Sequence, residues 1–210
     1  MPTPRPRVSA RRALPTIIAA TALVVTAAAA RRGVPVWERR VYRAVNDLPD
    51  ALAPIVWPPM QFGSLTSPFA LAAFAYSRNR RAEPATSIVA AGFTAWILAK
   101  GVKRLVGRGR PHDHDPETNL RLWTEVDGSL GYVSGHAAVA MTTAGIVHRY
   151  GSPGLGAAAY GLAGIVALSR IYAGAHLPID VLGGAALGVL VSEGIMIASE
   201  AAVTRRETPT

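Results

Sequence analysis

A chain of 210 residues fits one domain, and the lack of any cysteine excludes disulfides and thiolate metal sites. Half of the residues are hydrophobic and mean hydropathy is +0.25, yet 22 Lys and Arg against 13 Asp and Glu give a net charge of +9. The basic residues gather between long apolar runs and are not interleaved with aromatics in one basic domain. That pattern excludes nucleic acid as the expected partner and points to a bilayer, where flanking cations meet lipid headgroups and set topology.

Residues 1–12 hold Arg5, Arg7, Arg11 and Arg12 among prolines, and read as a disordered basic tail. Residues 13–30 are uncharged and closed by Arg31 and Arg32, long enough to span a bilayer core. A basic start and an Ala-rich end also suit a signal peptide, but the run exceeds the usual apolar core of about 7–15 residues, so a retained helix is expected. Residues 36–50 bring Trp37, Arg39, Arg40, Tyr42 and Arg43 together, an interfacial segment lying in the membrane plane. Residues 51–77 give a second span, kinked by Pro54, Pro58, Pro59 and Pro68. Residues 85–99, 134–147, 155–168 and 179–198 give four more, some short enough to need snorkelling polar residues at their ends.

The expected fold is therefore all-α: a polytopic membrane domain over 13–199 with six transmembrane helices in a bundle, and a C-terminal tail over 200–210. Arg78, Arg80 and Arg81 in the second connection, His148 and Arg149 in the fourth, and the arginines of both tails face the cytoplasm by the positive-inside rule. The first, third and fifth connections then face outward, although the first and third also carry basic residues.

Three polar clusters fall on that outward side: Lys103 followed after six residues by Arg110-Pro111; Ser134-Gly135-His136; and Ser169-Arg170, then His176, then Asp180. Lys103, Arg110 and Arg170 supply three cations, and arginines grip phosphate oxygens in bidentate fashion. Phosphoryl transfer asks mostly for positioning and neutralisation of oxyanion charge, which fixed cations and backbone amides provide without a metal. Ser134 and Gly135, opening a helix, add candidate N–H donors. His176 and Asp180 share a helix face at i, i+4 spacing, so the carboxylate can orient the imidazole as a nucleophile. His136 is left to protonate the departing oxygen and then to activate water against a phosphohistidine.

These stretches resemble the three signatures of the type 2 phosphatidic acid phosphatase superfamily, covering nearly the whole catalytic half of the chain. The resemblance implies a phosphohistidine mechanism, a six-helix membrane bundle and phosphate-clamping roles for Lys103, Arg110 and Arg170. One position departs from the family pattern: Val133 stands where proline usually precedes the serine. No reactive group is lost with it.

Other features read more plainly. Arg104 and Arg108 suit snorkelling anchors. His112-Asp113-His114-Asp115 offers metal-ligand chemistry, but consecutive loop positions define no geometry, so a solvated acidic loop is expected. The loop over 112–131, with Leu122 and Trp123, is placed to cover the site. Glu193 lies about 20 Å along its helix from Asp180 and reads as a helix-packing residue. The substrate class is a lipid phosphate, with a polyprenyl diphosphate favoured and phosphatidate, phosphatidylglycerophosphate or a polyprenyl-linked sugar phosphate as alternatives. A non-catalytic lipid-phosphate binding or transport protein is the reading of another class, opposed by the intact His136, His176 and Asp180. No cofactor is expected, and Ala-, Arg- and Gly-rich usage suggests a bacterial cell membrane.

Overall fold

The computed structural model describes residues 10–80, 82–121 and 129–207, and these are helical, with an isolated antiparallel bridge between Gly109 and Leu130. The helices are α1 (Ala10–Ala30), α2 (Val36–Asn46), α3 (Ala53–Met60), α4 (Thr66–Asn79), α5 (Ala82–Val106), α6 (Pro111–His114), α7 (Gly135–Tyr150), α8 (Pro153–Tyr172) and α9 (Pro178–Glu207). Residues 1–9 of the expected basic tail lie outside the described residues. At the other end α9 continues through Glu207, beyond the expected boundary at 199.

Among the described residues four stretches are long and apolar enough to cross a membrane: Ala13–Ala30, Ala82–Val106, Pro153–Tyr172 and Pro178–Ala202. α1 leaves Leu14, Ile17, Ile18, Val24 and Val25 exposed and buries Ala19 and Ala30, presenting small residues inward and large apolar ones outward as lipid requires. It packs along α9, and Tyr132 ties it to the site-side loop by donating to Leu23 O at 3.0 Å.

The expected kinked span over 51–77 is broken rather than bent. A 3-10 turn (Asp50–Leu52) leads into α3, a second (Gln61–Gly63) follows it, and Ser64 is extended before α4 begins. Pro58 and Pro59 at the end of α3 remove backbone donors, which favours a break there. α4 and α7 have 14 and 16 residues, so they run about 21 and 24 Å against a hydrocarbon core of about 30 Å.

α7 is the central element. It buries Ala137, Ala138, Ala140 and Ala144 and packs against α5, α8 and α9. The approach to α9 is close because Gly188 has no side chain: a Cβ there would lie 2.6 Å from Ala138 O. Thr142 Oγ1 uses the proximity, donating to Gly188 O at 3.0 Å. This packing brings the N-termini of α7 and α9 beside the C-termini of α5 and α8, where the three polar clusters lie.

Candidate active site

Each cluster sits where a helix ends. α5 closes at Gly107, whose φ of +70° suits glycine and whose N–H donates to Lys103 O at 2.9 Å. The chain turns inward through Arg108, and Arg110 opens α6, where Asp113 Oδ2 accepts the Arg110 N–H at 2.7 Å. α8 ends near Gly174, at φ +73°, and the N–H groups of Ala175 and His176 both donate to Arg170 O, at 3.1 and 3.2 Å. That turn folds His176 back over the end of α8 beside Arg170. The 3-10 turn before α4 closes another side: a Cβ on Gly63 would lie 2.6 Å from His136 O.

Lys103, Arg110, Gly135, His136, Arg170 and His176 line one cavity of about 400 Å³. Residues as far apart in the chain as Lys103 and His176 thus meet at a single site. Lys103 Nζ is held by Leu130 O at 3.0 Å and Gly131 O at 3.2 Å. The buried Arg110 donates through Nη1 to Ala175 O at 3.0 Å, and the buried Arg170 rests Nη1 on Met60 Sδ at 3.3 Å. Trp96, Lys100 and Arg104, all on α5, extend the same lining, with Lys100 Nζ 3.9 Å above the Trp96 ring. Arg104, expected as an anchor, is an exposed part of this wall. A pocket lined by so many cations and two imidazoles suits an anion that carries several oxygens.

His176 is buried, and its Nδ1 stands 3.7 Å from Asp180 Oδ2, within ion-pair reach and longer than a hydrogen bond. With Nδ1 turned to the carboxylate, Nε2 is the ring nitrogen left for chemistry. Burial, then the positive charges of Lys103, Arg170 and Arg110 and of His136, holds the His176 imidazole well below its ordinary pKa and so neutral. Asp180 also caps a helix: Oδ2 accepts the Leu177 N–H at 2.9 Å, the N3 half of a capping box at the start of α9. Ser134 departs from the phosphate-donor expectation. Its N–H is given to Asp180 O at 2.9 Å and its Oγ caps α7 by accepting from Ala137 N at 3.3 Å, so Gly135 is the lining residue of that pair. Val133, in the place of the usual proline, is fully buried in the core with Tyr132, and apolar packing holds the loop.

Arg108 requires a correction. It is no surface anchor but a buried bridge: Nη1 donates to Asp180 Oδ1 at 2.9 Å and to Glu38 Oε1 at 3.1 Å, while Nη2 donates to Glu38 Oε2 at 2.6 Å and to Gly33 O at 3.2 Å. Burial alone works against its charge, but the Glu38 hydrogen bonds and both carboxylates outweigh it and raise its pKa. Glu38 was missed altogether. It is fully buried, belongs to the segment read as interfacial, and Oε1 also accepts the Ile179 N–H at 2.9 Å. The available signal was the stripe Glu38, Tyr42 and Asn46, buried together at i, i+4, i+8 on α2.

The acidic loop is likewise structural. Asp115 is buried and accepts from Arg43 Nε at 2.6 Å, while Asp113 serves α6, so this run is not a solvated loop throughout. Among the described residues no three His, Asp or Glu side chains gather as a metal site would need. The expected cover by Leu122 and Trp123 falls on 122–128, outside the described residues. Glu193 is half-buried on α9 and is not part of the cavity lining.

Fold and site define a class: a helical membrane protein with a cation-lined pocket where two histidines meet. Residues 82–203 match the family model of the PAP2 superfamily, and the chain belongs to that superfamily. Among solved structures it is similar to LpxE of Aquifex aeolicus, at 22% identity and a TM-score of 0.67 over 75% of this chain and 93% of that one. It is also similar to a PAP2-type phosphatidylglycerolphosphate phosphatase of Bacillus subtilis, at 20% identity and a TM-score of 0.69 over 89% of this chain and 96% of that one. At such identities the likeness concerns the fold. Among curated proteins none matches.

Proposed function

We propose that this protein is a membrane lipid phosphatase that works through a phosphohistidine on His176. The observation that carries the reading is the convergence of Lys103, Arg110, Arg170, His136 and His176 on one cavity. The three cations bind the equatorial oxygens of the phosphoryl group, with Gly135 at the N-terminus of α7 as a backbone donor. His176 Nε2 attacks phosphorus, the bond from phosphorus to the leaving oxygen breaks, and that oxygen takes a proton from His136. Water then gives a proton to His136 and attacks the phosphohistidine, the N–P bond breaks, and inorganic phosphate leaves. Asp180 orients the imidazole and offsets its positive charge while phosphorylated. The clamp cations supply charge neutralisation, so the reaction is proposed to need no metal.

The favoured substrate is a polyprenyl diphosphate, a choice supported by Lys100 and Arg104 on the same wall, which suit a second phosphate. A phosphatidylglycerophosphate is the second reading, favoured by the likeness to the Bacillus subtilis phosphatase. In this reading the chain makes six membrane crossings, with α4 and α7 completing the set, and the site lies on the extracytoplasmic face of a bacterial plasma membrane. Support comes from Arg78, His148 and Arg149, which lie at the ends of α4 and α7 away from the cavity. Phosphate release from a panel of lipid mono- and diphosphates tests the reading: release from at least one lipid, lost in His176→Ala, is expected. No release from any of them would overturn it.

A further inference from the structure

The mechanism uses Asp180 but gives no role to Arg108 and Glu38, the buried charged residues joined to it. Arg108 and Glu38 have side chains with 1% and 0% exposure, and both stand directly behind the histidine that the reaction would phosphorylate. Buried ion pairs of this kind add little net stability over well-packed apolar side chains, so stability alone is a weak account of them. Their charges suggest another. Arg108 facing Asp180 alone would form a neutral pair, and the carboxylate would do little for an imidazolium 3.7 Å away. Glu38 changes that: two carboxylates share one guanidinium, and one net negative charge remains behind His176.

We propose that Glu38 is a positioning residue for His176, acting from α2 through Arg108 so that Asp180 is held in place without being neutralised. The inference rests on His176 being the nucleophile. When Nε2 bonds to phosphorus the ring becomes cationic in a pocket already crowded with cations, and the residual negative charge of this triad opposes that crowding. Arg108 fixes Oδ1 of Asp180 and Leu177 N–H fixes Oδ2, so the carboxylate cannot turn away. Glu38 in turn fixes Arg108 with both oxygens and holds the Ile179 N–H at the start of α9. The effect belongs to formation of the phosphohistidine and not to phosphate binding, which the clamp performs.

Charge and shape can be separated by two substitutions. Glu38→Gln keeps the shape and loses the charge; Glu38→Asp keeps the charge and loses a methylene. The full chain, purified in neutral detergent micelles, is assayed with farnesyl diphosphate as probe, together with inhibition by inorganic phosphate and thermal unfolding of each variant. The expected result is a kcat lower by about tenfold or more in Glu38→Gln, with KM and phosphate inhibition changed by less than about twofold, and a kcat nearer wild type in Glu38→Asp. A purely structural role predicts the reverse order, since the shorter side chain breaks more contacts than the isosteric one, and that order would overturn the proposal. So would wild-type kcat in Glu38→Gln. Should Glu38→Asp unfold, Glu38→Gln/Arg108→Gln replaces it: restoring one net negative charge raises kcat above that of Glu38→Gln, and a further fall counts against the proposal. Wild-type turnover in His176→Ala would instead sink the underlying mechanism, whereas an inactive His176→Ala beside an unaffected Glu38→Gln sinks this inference alone.

Discussion

Arg108 Nη1 lies 2.9 Å from Asp180 Oδ1, a contact that joins the end of α5 to the start of α9 inside the protein. Removing the guanidinium would leave Asp180 and Glu38 as two buried carboxylates without their shared cation. Arg108→Ala is expected to lower stability by about 3–5 kcal/mol, whereas Arg104→Ala, at an exposed position four residues earlier, changes it by less than about 0.5 kcal/mol. Thermal unfolding in detergent checks the pair. Equal, small shifts for both would place Arg108 at the surface after all.

Arg170 is buried at the end of α8 and holds its Nη1 on a thioether, a weak acceptor, rather than on a carboxylate. Its binding capacity is thereby kept for an oxyanion. Arg170→Lys retains the charge and loses the planar fork, so kcat/KM for a lipid phosphate is expected to fall by about 10²-fold with the thermal midpoint little altered. Unchanged kcat/KM would remove Arg170 from the clamp.

The cations and histidines that line the cavity were legible in the sequence because each cluster is short and each residue type is rare in apolar surroundings. Glu38 was not, since a carboxylate on a basic amphipathic helix looks like one more polar residue on a solvated face. Its i, i+4, i+8 spacing with Tyr42 and Asn46 hints at a buried stripe, and packing against Arg108 and the Ile179 N–H gives it its partners. Arg108 was misread for a related reason: just past a membrane helix, an arginine that turns inward has the same sequence signature as one that snorkels. The broken second span escaped as well. Its prolines announced a disturbance, but not that the turn between α3 and α4 packs Gly63 against His136, residues 73 positions apart.

Gly63 gives its own test. A Cβ there would lie 2.6 Å from His136 O, 2.7 Å from Val166 Cγ1 and 2.9 Å from His136 Cβ, so either the turn or the histidine must move. Displacements near 1 Å cost about 10²-fold in rate at a catalytic group. Gly63→Ala is therefore expected to lose kcat by about that factor while far-ultraviolet circular dichroism stays helical. An alanine variant with wild-type kcat would show that His136 is not held by this contact.

The neutral, buried His176 has a consequence for stability. Its native pKa lies below the unfolded value of about 6.5, so below that pH the unfolded chain binds a proton that the native ring refuses. Stability from this group is complete above about pH 6.5 and is lost as pH falls toward the native pKa, by up to about 1.4 kcal/mol per pH unit. His176→Asn should flatten the loss of thermal stability between about pH 6.5 and 5 relative to wild type. Parallel curves for the two proteins would mean that the ring is protonated in the folded state.

The central claim is that His176 itself carries the phosphoryl group. The most direct measurement is trapping with a substrate labelled in its terminal phosphate, quenched in alkali to preserve phosphohistidine, digested, and mapped by mass spectrometry. Label on His176 in the wild-type protein and none in His176→Asn is the expected result. Steady release of phosphate by an enzyme that carries no label on His176, or by His176→Asn at the wild-type rate, would contradict it.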